Sequence, residues 1–171
     1  MNSGSVFALG LMAGVMIVAW YMTRKNRKAA DYDEMQLKIR AAGYRIGFFT
    51  ALFIQMILIL LSELGLLTVT TPGFAAFASL LISVVVFAAY CILHDAFLAI
   101  RGKAGSYLWI FSLVVLTEVL VTVRNLTEGK MLENGRLTFQ GGAPAAMAAG
   151  FTVLLTALIV KTIRNGKEAE E

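Results

Sequence analysis

Charge is scarce in this sequence, and cysteine and histidine are nearly missing. Only 15% of the 171 residues are charged, against about 25% in typical soluble domains, which disfavours a soluble globular domain. The single cysteine, Cys91, cannot form an internal disulfide. With one histidine and no cysteine or carboxylate set at ligand spacing, the sequence predicts neither a metal site nor a cofactor.

Long apolar runs replace the missing charge, and 58% of the residues are hydrophobic. A bilayer core about 30 Å thick needs about 20 apolar helical residues. Five runs predict transmembrane helices over residues 5–22, 46–69, 73–94, 106–124 and 144–161. A secretory signal peptide is the alternative for the first run, but the residues before it carry no Lys or Arg. We therefore expect an all-α membrane protein, in which residues 1–171 form one integral membrane domain built on a five-helix bundle.

Basic residues are distributed unevenly between the two sides of this expected bundle. Of the fifteen Lys and Arg residues, twelve lie between the first two runs, between the third and fourth, or after the fifth. The other three are Arg124, Lys130 and Arg136. Because cytoplasmic loops carry an excess of Lys and Arg, the pattern predicts an outside N-terminus and a cytoplasmic C-terminus in a multi-pass cell-membrane protein. The membrane topology then accounts for the excess of basic over acidic residues. No nucleic-acid partner is therefore predicted.

The cytoplasmic segment 31–45 has the pattern of an amphipathic helix. Asp31 and Glu34 have the spacing of a capping box at its start. Apolar residues then recur every three or four positions, which places them on one helical face: Tyr32, Met35, Ile39, Ala42 and Ile46. The helix is expected either to lie on anionic lipid or to dock a cytoplasmic partner.

The external loop 124–143 is expected to contain a small β-hairpin. Asn134-Gly135 is a strong signal for a two-residue type I′ turn. Such a turn pairs Glu133 with Arg136 and Leu132 with Leu137, so that one pair is oppositely charged and the other apolar. An isolated hairpin is marginal in water, so this one would have to rest on the bundle. It is either an ordinary connector or a lid or partner contact.

Glu63 and Glu118 are the acidic residues inside the expected spans. Charged side chains are costly in a bilayer and are functional candidates there. At about 1.5 Å per residue, Glu63 lies about 8 Å and Glu118 about 9 Å from the outer ends of their runs. Arg124 and Gln55 are the expected partners in a polar network. This network is either a structural contact between helices or a site for coupled transport or ligand binding.

A second group, formed by His94, Asp95 and Arg101, lies at the inner end of the third run. His94 and Arg101 share a helical face at a spacing of seven residues. A histidine can sense pH or bind a metal. The alternative, which the sequence favours, is an interfacial histidine beside an ion pair between Asp95 and Arg101 or Lys103.

Small residues occur at helix-packing spacing in three of the runs. The first run contains Gly10-x-x-x-Gly14, and Gly43-x-x-x-Gly47 leads into the second. The fifth begins with small residues: Ala145, Ala146, Ala148, Ala149 and Gly150. Because small side chains let helices approach closely, these faces are expected to pack the bundle or to bind a membrane-protein partner or a second copy.

Two segments resemble a known group of proteins. They are Tyr32-Asp33-Glu34-Met35-Gln36 through Ile39-Arg40, which comes before Tyr44 and an apolar run, and Asp95-Ala96-Phe97. They resemble segments of uncharacterised small multi-helix membrane proteins of Gram-positive bacteria. The resemblance implies a bacterial multi-pass membrane protein and brings no activity, substrate or catalytic residue with it.

Catalytic motifs are missing from the chain, which contains no HExxH, GxSxG, P-loop or GxGxxG sequence. An enzyme is therefore not predicted. The leading interpretation is a polytopic inner-membrane protein that acts as an accessory or regulatory subunit, with the lipid bilayer and a membrane protein as its partners. The alternative is a small transporter or substrate-binding membrane component with a polar site near Glu63 and Glu118.

Overall fold

The computed structural model describes residues 32–98 and 104–168. This part of the chain forms four helices and one small sheet: α1 Glu34–Glu63, α2 Pro72–Leu93, α3 Ala104–Thr127, β1 Leu132–Glu133, β2 Arg136–Leu137 and α4 Phe139–Glu168. All four helices are long and apolar enough to cross a membrane. They correspond to the second to fifth predicted runs, and the first run, residues 5–22, lies outside the described residues.

The helices pack in the order α1, α2, α4, α3, so that α2 and α4 lie at the centre. In their apolar stretches, 28% of the α2 residues and 22% of the α4 residues are buried, against 6% in both α1 and α3. The core is formed by Ala88, Ile92, Phe111, Leu154 and Leu158. The two flanking helices therefore leave most of their apolar surface uncovered by the described chain.

Helix α1 is one continuous helix of 30 residues. The separate amphipathic helix expected over residues 31–45 is instead its first part, because no proline or turn interrupts the chain before the apolar run. The helix begins after Asp33 rather than Asp31, and the N–H of Asp33 donates to Oε1 of Gln36 at 3.3 Å. At about 1.5 Å per residue, α1 is about 45 Å long and exceeds the bilayer core of about 30 Å.

A tight turn ends α1 at Glu63, six residues before the predicted end of this run at residue 69. Gly65 has a φ of +67°, and the N–H of Leu66 donates to the carbonyl of Leu61 at 2.8 Å, as in a Schellman motif. The apolar residues after Gly65 therefore lie in the connection to α2. That helix begins as predicted, with Thr71 as its N-cap and Pro72 in its first turn.

The predicted Gly43-x-x-x-Gly47 motif packs α1 against α2. These two glycines are the buried residues of α1. A Cβ atom on Gly43 would lie 3.2 Å from Cys91 Sγ, and one on Gly47 would lie 3.1 Å from the carbonyl oxygen of Ser83. The motif therefore serves packing within the bundle. The equivalent motif at Gly10 and Gly14 lies outside the described residues.

The predicted hairpin is confirmed, with Leu132 opposite Leu137 and Glu133 opposite Arg136. Asn134 and Gly135 both have positive φ values, 50° and 75°, as a type I′ turn requires. The hairpin also rests on the bundle, since the N–H of Leu137 donates to the carbonyl of Val69 at 2.8 Å. Thr70 and Leu137 thus form an isolated parallel β-bridge that joins the connection before α2 to β2.

Helix α4 begins at Phe139, five residues before the predicted span. Thr138 caps it, because its Oγ1 accepts the N–H of Gly141 at 3.1 Å. Pro144 lies inside the helix and has no N–H for the carbonyl of Gln140. The side-chain amide of Asn125 in α3 donates to this carbonyl instead, at 3.1 Å. This hydrogen bond to the carbonyl of Gln140 joins α3 to the first turns of α4.

Gly141 gives the first prediction, because the backbone of Lys130 and Met131 lies against it and a Cβ atom would collide with that backbone. We expect Gly141→Ala to lower the free energy of unfolding by about 1–3 kcal/mol, as overpacking does. Thermal unfolding of the purified protein in mild detergent measures the change.

Gly105→Ala in α3 is the matched control, since a Cβ atom there meets nothing within 4 Å. Both substitutions gain the helix preference of alanine, about 0.5–1 kcal/mol, so their difference isolates the collision. Equal stability of the two variants would contradict the packing described here.

Candidate functional site

Glu63 and Glu118 lie on helices that pack against different neighbours. Glu63 is the last residue of α1 and is exposed, so the helix does not continue through the apolar residues after it, as the predicted run to residue 69 required. Glu118 is half-buried on α3, nine residues or about 13 Å before that helix ends at Thr127. Because α1 packs on α2 and α3 packs on α4, the packing of the helices does not join the two carboxylates in one site.

Gln55 contributes instead to a polar contact between α1 and α2. Its Nε2 donates to Oγ of Ser79 at 2.7 Å, and that hydroxyl donates to the carbonyl of Ala76 at 2.8 Å. The hydroxyl of Ser83 donates to the carbonyl of Ser79 at 2.7 Å. Ser79 is only 1% exposed, so these bonds satisfy polar groups that lipid could not. The bond from Gln55 to Ser79 joins two helices, and such a bond stabilises a bundle by about 1 kcal/mol.

Arg124 pairs with a residue of its own segment rather than with Glu63 or Glu118. Its Nε donates to Oε1 of Glu128 at 2.7 Å, and Lys130 also binds this carboxylate. These hydrogen bonds, first from Arg124 and then from Lys130, lower the pKa of Glu128 to about 2. The cluster lies at the surface beside the hairpin, where ion pairs contribute little to stability.

Asp95 lies at the opposite end of the bundle, just after α2. Its φ of 57° is in the left-handed region, and the N–H of Ala96 donates to the carbonyl of Cys91 at 2.8 Å. Asp95 thus occupies the position that glycine normally takes in a Schellman motif. Its carboxylate pairs with Nζ of Lys161 in α4 at 2.6 Å. Lys161 is 18% and Asp95 60% exposed, so the pair lies at the edge of the bundle.

Two side chains of α1 bind the same loop. Nε2 of Gln36 donates to the carbonyls of Asp95 at 2.6 Å and Leu98 at 3.3 Å. An Nη of Arg40 donates to the carbonyl of Ala96 at 3.2 Å, and its guanidinium lies 4.5 Å from the Tyr32 ring centre. The loop therefore joins α1, α2 and α4 through polar contacts. We call residues 94–98 with Gln36, Arg40 and Lys161 the Asp95 junction.

His94 lies in this junction and packs on the last turn of α2. Its Nδ1 lies 2.9 Å from the carbonyl of Tyr90, and its ring stacks on Tyr90 with the centroids 4.3 Å apart. Its predicted neighbour Arg101 lies outside the described residues, as does Lys103. Within the described ranges, no group of three His, Cys, Asp or Glu residues could hold a metal ion.

An open groove lies beside the Asp95 junction, between the first turns of α1 and Tyr90 of α2. Its volume is about 630 Å³. Its walls carry acidic and apolar side chains together with one lysine: Asp33, Glu34, Met35, Lys38, Ile39, Ala42 and Tyr90. The predicted apolar stripe of residues 31–45 therefore faces this groove in part, and Met35 remains 68% exposed.

Sequence reasoning missed Gln36, Arg40 and Lys161 as partners of the Asp95 loop. These contacts join residues 56 to 66 positions apart in the chain, so no local spacing indicates them. The sequence did contain one indication of these contacts. The two segments that resemble membrane proteins of Gram-positive bacteria include Gln36, Arg40 and Asp95-Ala96. The structure brings these segments together.

Comparisons with known proteins identify no relative of this chain. No family model, no curated protein and no solved structure matches it. The resemblance to membrane proteins of Gram-positive bacteria therefore stays a prediction.

The ion pair between Asp95 and Lys161 gives the second prediction. Asp95→Asn, Lys161→Met and the double variant form a double-mutant cycle, which isolates the pairwise energy. We expect a coupling of about 1 kcal/mol, the upper end for a pair at a surface, because the lysine is largely covered. Thermal or denaturant unfolding in detergent provides the four stabilities.

The pair of Arg124 and Glu128 is the matched control. It lies within one segment four residues apart, and its arginine is 72% exposed. We expect a smaller coupling there, since this pair joins no separate helices. A coupling at Asp95 no larger than the control would mean that the junction does not hold α4 to the loop.

Proposed function

We propose that this chain is a multi-pass membrane protein that acts as an accessory or regulatory subunit of a partner in the membrane. Four helices that can cross a bilayer support the membrane part of this proposal. The exposed face of α3 supports the subunit part. We infer no catalytic role, because neither the sequence motifs nor the Asp95 junction offers a nucleophile beside a base.

The exposed face of α3 has the spacing of a helix-packing seam. Large apolar residues follow each other at intervals of four, three, four and three, which keeps them on one face: Trp109, Leu113, Leu116, Leu120 and Val123. They are between 46% and 69% exposed. The opposite face, which includes buried Phe111, packs on the core. We name this set the α3 seam and propose it as the partner surface.

The transport alternative has less support than the subunit role. It requires Glu63 and Glu118 to face one water-filled cavity at similar depth. Glu63 lies at the end of α1 and Glu118 on a helix that packs on α4 rather than on α1 or α2. The groove beside Tyr90 lies at the other end of the bundle from Glu63.

The third prediction tests the α3 seam. The full chain is extracted from its own membranes in mild detergent, and the mass of the complex is measured by native mass spectrometry. We expect a stoichiometric complex with a different membrane protein. In the double variant Leu116→Ala and Leu120→Ala, recovery of the partner should fall several-fold, because packing contacts drive helix association in a bilayer.

The control double variant is Leu80→Ala and Val84→Ala on α2, whose side chains are 57% and 58% exposed. It removes a similar apolar surface outside the seam and should leave the complex intact. A chain found alone, with only a second copy of itself or with a small molecule would overturn the subunit proposal. So would a complex that survives the α3 substitutions.

We also propose that the Asp95 end faces the cytoplasm of a bacterial cell and that the hairpin lies outside. Lys38, Arg40 and Arg45 at the start of α1 lie at the same end as Lys161 and Arg164 of α4. The hairpin end has only the three cations Arg124, Lys130 and Arg136 among its described residues. The positive-inside rule supports this orientation.

The fourth prediction tests the orientation with single cysteines in a Cys91→Ala background. A membrane-impermeant maleimide added to intact cells should label Glu133→Cys in the hairpin. It should label Arg164→Cys only after the cells are permeabilised. Both native residues are exposed, so access to the reagent depends on the side of the membrane. The reverse labelling pattern would overturn the proposed orientation.

A further inference from the structure

Glu118 lies on the face of α3 that packs against α4. It follows the buried Phe111 by seven residues, which is close to two helical turns and therefore the same face. The ring of Phe111 contacts that of Phe151 in α4, with the centroids 5.6 Å apart. Seven residues after Glu118, the amide of Asn125 donates to the carbonyl of Gln140 at 3.1 Å. Glu118 therefore lies midway between two contacts of α3 with α4, on the side away from the α3 seam.

The part of α4 opposite Glu118 offers the carboxyl group no polar side chain. The two contacts set the register of the antiparallel helices and place Glu118 opposite residues 144–148, which are Pro, Ala, Ala, Met and Ala. Over residues 139–160, α4 contains no Asp, Glu, Lys, Arg or His. Among the described residues, no side chain forms a hydrogen bond or an ion pair with the Glu118 carboxyl group.

The titratable groups of the other elements lie at the two ends of the bundle. Helix α2 contains no Asp, Glu, Lys, Arg or His, and its Tyr90 and Cys91 lie at the Asp95 end. On α3 itself, Arg124 binds Glu128 near the hairpin. The carboxyl group of Glu118 is therefore an ionisable group in an apolar stretch of the bundle, without a counter-charge from the described chain.

The protonated form of Glu118 suits this position better than the ionised form. The residue lies about 13 Å before the end of α3, inside the stretch that can cross a bilayer. An ionised carboxylate is costly in hydrocarbon, and an acid without a counter-charge there is neutralised by taking up a proton. We therefore expect Glu118 to hold a proton and to release it only when water reaches the carboxyl group.

A polar face of α3 connects Glu118 to the hairpin end of the bundle. Thr122 and Asn125 follow at intervals of four and three residues, and all three side chains are half-buried on the α4 side. The hydroxyl of Thr122 donates to the carbonyl of Glu118 at 2.7 Å. Asn125 lies about 10 Å further along the helix. Because hydroxyl and amide groups can hold bridging waters, this face provides a short route for protons from the hairpin side.

Aromatic rings close the opposite direction. Towards the Asp95 end, three rings contact the ring of Phe111 with centroids 5.6 to 6.4 Å apart: Phe97, Tyr107 and Phe151. Phe111 is only 8% exposed and belongs to the core of the bundle. A close-packed apolar core leaves no room for water. It therefore separates Glu118 from the Asp95 end.

We propose that Glu118 is a proton-binding site that exchanges protons with the hairpin side of the membrane and not with the Asp95 side. A site that is open to one side responds to the pH there and does not carry protons across. Loss of the proton places a charge between α3 and α4, so the packing of these two helices depends on that pH. The proposal requires α3 to cross a bilayer, but it does not depend on a partner subunit.

A hydrophobic carbodiimide tests the proposal, and this is the fifth prediction. The reagent enters hydrocarbon and modifies protonated carboxyl groups. The acid proton passes to a carbodiimide nitrogen, the carboxyl oxygen bonds to the central carbon, and an acyl shift gives a stable N-acylurea. The full chain is placed in lipid vesicles with separate buffers inside and outside, and its orientation is measured with Glu133→Cys and an impermeant maleimide. Mass spectrometry of the digested chain measures the adduct.

We expect an adduct on Glu118 whose yield depends on the pH of one side. The yield should fall several-fold when the pH on the hairpin side is raised from acid to alkaline, because deprotonated carboxylate does not react. It should stay the same when only the pH on the Asp95 side is raised. Glu118→Gln should abolish this adduct, whereas Glu63→Gln should leave it unchanged, since Glu63 is exposed at the end of α1.

Thr122→Val tests the route along α3, because it removes the hydroxyl next to Glu118. We expect the yield to respond several-fold more slowly to a change of pH on the hairpin side. Thr156→Val is the matched control. Its hydroxyl also donates to the carbonyl four residues earlier, at 2.8 Å, but it is exposed on α4. The response of this variant should match that of the unmodified chain.

Four results would overturn the proposal. The first is no adduct on Glu118 at any pH in a chain whose circular dichroism shows it to be folded. The second is a yield that does not change with the pH on the hairpin side. The third is an equal response to the pH on either side, and the fourth is an equal response of Thr122→Val and Thr156→Val. The outcome of the α3 seam experiment does not affect these results.

Discussion

Close approach of backbones is the constraint on which the packing of this bundle depends. Lipid tails are as apolar as leucine, so helices in a bilayer associate through packing and hydrogen bonds rather than through the hydrophobic effect. Gly43 and Gly47 bring α1 against α2, and Gly141 and Gly142 bring α4 against the loop at Met131 and against α2. The same closeness lets Gln55 reach the hydroxyl of Ser79. The positions of the glycines therefore decide which helix faces pack against each other. The remaining helix faces stay exposed.

The two ends of the bundle are closed by different physical means. At the hairpin end, backbone hydrogen bonds join Val69 and Thr71 to Leu137, so the connection works through the main chain and tolerates exposed side chains. At the Asp95 end, side chains from α1 and α4 bind a loop whose left-handed residue is an aspartate rather than a glycine. Glycine would fit that conformation without strain but would lack the carboxylate that pairs with Lys161. The choice of aspartate therefore couples the end of α2 to α4.

Local features of this fold could be predicted from the sequence, and contacts between distant segments could not. Asn134-Gly135 fixed the hairpin register, and Thr71-Pro72 fixed the start of α2, because each effect acts within four residues. The predicted end of this helix at residue 69 was wrong because the apolar residues after Glu63 suggested a longer helix, whereas the turn at Gly65 ends it at Glu63. The pairing of Gln36, Arg40 and Lys161 with one loop depends on the order α1, α2, α4, α3, which composition and periodicity do not contain.

The two flanking helices differ in length, and length decides how much of the exposed apolar face of each helix a bilayer core can cover. The α3 seam runs from Trp109 to Val123, about 21 Å at 1.5 Å per residue, so the whole seam fits within a bilayer core. Helix α1 is about 45 Å long at 1.5 Å per residue, so it is longer than such a core, and its apolar side chains begin in the first turn with exposed Met35. A partner that stays within the bilayer can therefore cover the whole α3 seam but not the whole length of α1. This difference is the reason why α3 rather than α1 is proposed as the partner surface.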